Sequence, residues 1–344
     1  MTVRAITRFE AELFASAGAD PERTRSVMVQ LWDECRSCPE WCFIGEENGR
    51  VIARIGFWVL PSIITTFHVA WLTLPWDGDY LSAGKRFWDE VLVRIRDYGV
   101  TDVESALDSD DDNHDRRVSF YEHVGLDLIQ EKAEYKWQVG DDRLKSQDRI
   151  QTQRHKDTRI RTREIQTNRT RQVACLNRNL RFRTMAEEGE AAFIEAIRRV
   201  TEGTLDREDQ DAVRTESPAE AARRYFGILK DIDYTPERWQ LGYAVRESGA
   251  PALVGLIAPQ KFNDDVGAIN YIGVVPELRG RGYVNDLMAK GLQLLYEAGV
   301  KQVVASIDVV NYPMLAAVER AGFQPDVSSR IYRLTLDRPA AGGS

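Results

Sequence analysis

Arg279-Gly280-Arg281-Gly282 is the segment of this 344-residue chain whose composition points most directly to chemistry. It follows the strand-like run Ile272 to Val275 and Pro276, and a helical pattern starts at Tyr283 and Val284. Backbone N–H groups at a helix N-terminus lack partners and carry positive partial charge, so they suit phosphates. Glycines allow close backbone approach to a ligand, and two arginines add charge. Tyr271 lies on the strand before this loop. Ser306 and Asp308 lie on the next strand-like run, on one face by two-residue alternation. A phenol, a hydroxyl and a carboxylate beside an anion loop are candidates for proton transfer. Asp308 also suits a strand-end role, accepting turn N–H groups. Tyr271 also suits a half-buried core position. No Cys/His or Ser/His/Asp arrangement is evident, so a covalent mechanism has little support.

The elements that must position these residues occur twice. YGVTDVESALD (98–108) matches AGVKQVVASID (298–308), at an offset of 200 residues. HVAWLTLPW (68–76) parallels AINYIGVVP (268–276), and FYEHVGL (120–126) parallels AVERAGF (317–323). Both halves read strand, two helices, three strands, helix, strand, helix and a final strand pair. Val284, Leu287, Met288, Leu292 and Leu295 fall on one helical face, as do Phe193, Ile194, Ile197 and Val200. This order predicts an α/β fold with a mixed sheet flanked by helices in each copy. The copies are placed at 1–140 and 180–338, joined by a basic linker at 141–179, with a tail at 339–344.

The loop resembles motif A of the GNAT superfamily of N-acyltransferases, whose loop reads Q/R-x-x-G-x-G/A. Here Val284 stands where Gly or Ala is usual. Asn311-x-x-Met314 followed by Gly322-Phe323 resembles the family's N-x-x-A…G-F. The resemblance implies two tandem GNAT-like domains, with acyl-CoA in a cleft where strands ending near Val275 and Ile307 splay apart. It implies that backbone from Ile272 through Val274 to Val275 bonds the pantetheine arm. The pyrophosphate would then sit on Arg279 to Val284, and Asn311 would contact the arm. The amine would attack the thioester directly. The family's usual acid, a tyrosine seven residues after the asparagine, is replaced by Val318.

The first copy departs in the opposite sense. Tyr121 falls at the tyrosine position and His114 at that of the asparagine, but the loop reads Trp76-Asp77-Gly78-Asp79-Tyr80. Asp77 and Asp79 would oppose phosphate, so this copy reads as degenerate for CoA. Asp108 to Asp112 form an acidic loop that is solvated or attracts a cationic amine.

Charge separates the chain into regions. Net charge is −8, yet 143–183 holds 13 Lys/Arg against three acids. This strip reads as a solvated linker or as a nucleic-acid contact. The four cysteines (Cys35, Cys38, Cys42 and Cys175) are too few for a secreted disulfide scaffold, and their spacing does not make a four-ligand zinc site. No stretch approaches a membrane span and no signal pattern opens the chain, so a cytoplasmic location is expected. Three functions remain open. The first is acyl transfer, most simply of acetyl, from acetyl-CoA or another acyl-CoA to a small-molecule primary amine. The second is tRNA-dependent aminoacyl transfer or RNA contact through the strip. The third is a non-catalytic acyl-CoA-binding scaffold.

Overall fold

A computed structural model of the chain describes residues 1–138, 180–244 and 251–336. The basic linker and Cys175 therefore lie outside the described residues. Two compact units emerge, Met1–Lys132 with Val327–Ser344, and Ala133–Asp326. These differ from contiguous halves. Residues from Ala133 belong with the second unit, and residues from Val327 with the first.

The first unit runs β1 (Thr2–Ala5), α1 (Ala11–Ser16), α2 (Pro21–Asp33), β2 (Cys42–Glu47), β3 (Arg50–Trp58) and β4 (Thr66–Thr73). It continues with α3 (Tyr80–Arg96), β5 (Asp102–Asp108) and α4 (His114–His123). β6 (Asp127–Gln138) follows as one unbroken strand rather than the expected pair. Its sequence contains no Gly, Pro or Asn to turn it.

The second unit has β7 (Leu180–Thr184), α5 (Met185–Glu188), α6 (Glu190–Thr201), α7 (Arg207–Thr215) and α8 (Pro218–Ile232). Then come β8 (Gln240–Ala244), β9 (Ala252–Lys261), β10 (Val266–Val274), α9 (Tyr283–Glu297), β11 (Gln302–Asp308) and α10 (Tyr312–Arg320). β12 (Gln324–Thr335) is again a single strand. Strand order is β1-β2-β3-β4-β5-β12 in the first unit and β6-β11-β10-β9-β8-β7 in the second.

Burial explains the division. Tyr332 and Leu336 lie in the core with Tyr121, Phe120 and Trp88. Tyr135 and Trp137 lie in the core with Val318, Phe323 and Leu295. The expected helix faces are the buried ones. Leu287, Met288, Leu292 and Leu295 of α9 pack beside Ile257 and Ile269. Phe193, Ile197 and Val200 of α6 pack with Phe226, Trp239 and Leu256. Phe193 is fully buried, with its ring 5.3 Å from that of Trp239 and 6.2 Å from that of Phe226. Phe193→Ala is expected to destabilise the second unit by about 3–5 kcal/mol, read by urea unfolding. A loss below about 1 kcal/mol would contradict this packing.

Candidate functional site

In the second unit β10 and β11 are parallel neighbours only from Val266↔Gln302 to Ala268↔Val304. Beyond that register they separate, although β10 continues to Val274 and β11 to Asp308. On its other edge β10 remains paired with β9, from Gly267↔Lys261 to Val274↔Gly255. A bulge lies where the strands part: Ile269 faces Pro259 and Tyr271 faces Ala258, leaving Asn270 as the extra residue. Bulges bend a strand and re-aim its side chains. The Asn270 amide donates to Gln260 Oε1 at 2.5 Å, which holds the bend. Backbone from Tyr271 to Val275 therefore borders an opening on the β11 side.

The glycine loop follows directly. Gly280 and Gly282 have φ of 74° and 84°, in the left-handed region. Gly282 is the N-cap of α9 and offers no side-chain cap, so the first-turn N–H groups of Tyr283 and Val284 stay open. Arg281 is exposed and reaches only the Glu277 carbonyl, at 3.4 Å. Arg279, expected beside the pyrophosphate, bonds within the chain. Its guanidinium bonds the carbonyls of Val274 (3.0 Å), Gly203 (2.8 Å) and Val200 (2.8 Å). The carbonyls at the C-terminal end of α6 attract a cation and hold it there. Arg279 thus ties the loop to the α6–α7 connection.

The α6–α7 connection brings a further carboxylate, which the sequence reading did not single out, to the same place. Asp209, in the first turn of α7, lies 3.5 Å from the Tyr271 hydroxyl and 3.5 Å from Thr204 Oγ1. It keeps some exposure to solvent but is crowded by protein. Withdrawal from water, then the nearby charges of Asp206 and Glu208, push its carboxyl up to about 7. A carboxylate in that range both accepts and releases a proton near neutrality. Tyr271 is buried, and burial holds its hydroxyl protonated well above the usual range. Its ring lies 4.5 Å from that of Tyr225, and its hydroxyl is 3.1 Å from Thr201 Oγ1. The Thr201 hydroxyl donates to the Ile197 carbonyl, which leaves the Tyr271 O–H to donate.

The other candidates separate from this cluster. Asp308 is 0% exposed. It accepts from the N–H groups of Arg207 (3.0 Å) and Val310 (3.0 Å), and lies 3.1 Å from the Arg207 guanidinium. A carboxylate so saturated is a poor base, and its strand-end role prevails. Ser306 is exposed and donates to Glu134 at 2.6 Å, away from Tyr271. Asn311 is the N-cap of α10, accepting from the Met314 N–H at 3.4 Å, so its side-chain oxygen serves the helix rather than an arm. Val318 is buried in the core with Phe323. Ile272 and Val274 are half-buried and Val275 fully buried along the opening.

The first unit repeats the skeleton with different contents. β4 and β5 pair from Thr66↔Asp102 to His68↔Glu104 and then part, and Ala70 is the extra residue opposite Gly56 and Phe57. The opening is occupied. Arg117 donates to the Leu72 carbonyl at 2.9 Å and lies 3.3 Å from Asp111, over the Trp76 ring. Asp79 is the N-cap of α3 and accepts from the Ser82 N–H at 3.1 Å, so a carboxylate already fills the helix terminus. Asp77 pairs with Arg116 at 3.3 Å. Tyr121 is a core residue, bonded to Ser105 at 2.8 Å. Cys35 is exposed just after α2, and Cys42 opens β2. Burial pushes the thiols of Cys38 and Cys42 up to about 12.

Residues 179–324 match the family model of the acetyltransferase (GNAT) domain. No curated protein matches the sequence. A GCN5-related N-acetyltransferase from Sphaerobacter thermophilus is similar in structure, with a TM-score of 0.63 and 15% identity over 97% of this chain and 95% of that one. A tandem GNAT protein from the clavulanic acid biosynthesis pathway has a TM-score of 0.52 and 13% identity, over 97% and 98%. At such identities the likeness speaks for the fold. Residues 179–324 thus carry the signature of a GNAT acetyltransferase domain, and over its length the chain has the fold of these tandem GNAT structures.

Proposed function

We propose that the second unit transfers an acyl group, most simply acetyl, from acyl-CoA to the primary amine of a small molecule. The observation that carries this reading is Asp209, a carboxyl pushed up to about 7 beside the opening between β10 and β11. A cofactor with a pyrophosphate and an extended arm fits the residues present. The open terminus of α9, at Gly282, Tyr283 and Val284, would take the pyrophosphate, with Gly280 and Arg281 beside it. Backbone of β10 from Ile272, where β11 no longer pairs with it, would take the arm as a strand partner does, although Arg279 already holds the Val274 carbonyl and the Val275 N–H bonds Val254. Bound there, acyl-CoA supplies an acyl group already activated as a thioester.

The chain's own residues have three tasks. Asp209 takes a proton from the ammonium form of the amine, which frees the nitrogen lone pair. Tyr271 stays protonated, and its single O–H, shared between Thr201 Oγ1 at 3.1 Å and Asp209 at 3.5 Å, borders the base without competing for its proton. Asp206, Glu208 and Asp209 together favour a cationic acceptor, and the rings of Tyr225 and Tyr271 present apolar faces beside them. Amino sugars, polyamines and amino-acid derivatives share that chemistry.

Three outcomes are expected. Thiol release from acetyl-CoA should depend on an added amine, and kcat/KM should fall as pH drops below about 7, where Asp209 gains its proton. Asp209→Asn should lower kcat about 100-fold or more and remove that acidic limb. No thiol release across the amine panel would sink the transferase reading, and an unchanged limb would remove Asp209 as the base. Gly282→Asp puts a carboxylate at the α9 terminus and should weaken CoA binding about tenfold or more, by calorimetry, relative to Gly282→Asn, which carries the same left-handed backbone strain without the charge. Unaltered affinity would relocate the pyrophosphate.

Stability should move the opposite way. The proton affinity of Asp209 is raised on folding, so its favourable contribution is full below about pH 4 and is lost as pH rises through about 7. Asp209→Asn should therefore be more stable than the parent at pH 8, by roughly 1–3 kcal/mol, with the gap closing toward pH 4. A destabilised variant at pH 8 would contradict the enclosed setting of this carboxylate.

A further inference from the structure

We propose that Asp308 and Arg207 form a latch that positions Asp209, by pinning the first turn of α7 over the gap between β10 and β11. This inference rests on the reading of Asp209 as the base. The geometry is a bridge. Asp308 ends β11 and binds both the backbone N–H and the guanidinium of Arg207, at 3.0 and 3.1 Å. Two residues later Asp209 meets Tyr271 of β10. One helical turn is therefore bonded to each of the two strands that have lost each other.

The latch has the features of a positioning device. Asp308 is fully buried, and its ionised form is stabilised by the Arg207 and Val310 N–H donors together with the guanidinium. On the other side, Arg279 holds the Val200 and Gly203 carbonyls at the start of the same connection. The stretch from Thr201 to Asp209 is thus tied at both ends. Within it Asp206 caps α7, accepting from the N–H groups of Glu208 and Asp209 at 3.0 and 3.2 Å. The charged and titratable groups acting on Asp209 are Asp206 and Glu208 on its own segment, Tyr271 on β10, and Tyr225 on α8. None of the residues of α7 is buried in the core, so beyond its packing on α8 and the Gln210–Thr204 bond the latch is what fixes its first turn. Without the latch, Asp209 would drift into water and lose the surroundings that raise its proton affinity.

The test reads the carboxyl itself. The double variant Arg207→Gln with Asp308→Asn removes one charge of each sign, so no net charge is left to move Asp209 from a distance. In the full chain without substrate, carbon-13 NMR titration of the aspartate carboxyls follows Asp209, assigned by its disappearance in Asp209→Asn. The expected midpoint falls by about one pH unit or more from its value near 7, and the acidic limb of kcat/KM shifts with it. An unmoved Asp209 midpoint in the folded double variant overturns the latch. If the double variant does not fold, Arg207→Gln alone carries the same titration. Hydrogen exchange across 203–212 should then speed up, and unchanged exchange with an unchanged midpoint overturns the proposal. The NMR reading needs no turnover. A parent without activity would thus defeat the transferase reading while still reporting on the latch.

Discussion

Two parallel strands stop pairing at Ala268 and Val304, and the site in the second unit depends on that break. A strand edge without a partner exposes N–H and C=O groups that must be satisfied by something else. The Asn270 bulge and the continuous pairing with β9 keep β10 in place while β11 departs. The gap thereby gains one wall of free backbone, a helix terminus at its end, and room for a third element across it. That element is α7, whose first turn is bonded to β11 through Arg207 and to β10 through Asp209.

The two copies show that the skeleton alone does not decide the ligand. Both have the same short parallel pairing followed by separation, and bulged residues 200 positions apart, at Ala70 and Asn270. What differs is electrostatic occupancy. In the first unit Arg117 takes the Leu72 carbonyl and Asp79 caps α3, so the chain supplies its own cation and its own anion. In the second unit glycine stands at the cap, and Met314 replaces a long cation in the parallel segment of α10. The first terminus is filled by the chain's own carboxylate, and the proposed ligand sits at the second, where α9 carries no side-chain cap.

Much of this was legible in the residue order. The repeat, the apolar faces of α6 and α9, and the glycine loop rest on local spacing, and local spacing survives folding. The tie from Arg279 to the carbonyls of Val200 and Gly203 was not legible, because these partners lie 76 to 79 residues away in sequence. Asp209 was missed because Arg207–Thr215 lacks an apolar stripe, and burial patterns cannot find a helix that is not buried. Its signal was of another kind: Asp206 as N-cap, acids in the first turn and Arg214 in the last. The division of the chain within β6 and β12 followed from aromatic residues, Tyr135, Trp137 and Tyr332, whose destinations no local pattern reveals.

The central claim is that cofactor binding belongs to the open cleft and not to the filled one. Native mass spectrometry of the purified full chain with saturating acetyl-CoA counts the occupied clefts directly. One cofactor per chain is the predicted result. Two per chain, or one that persists unchanged when the α9 terminus is blocked, would contradict the account.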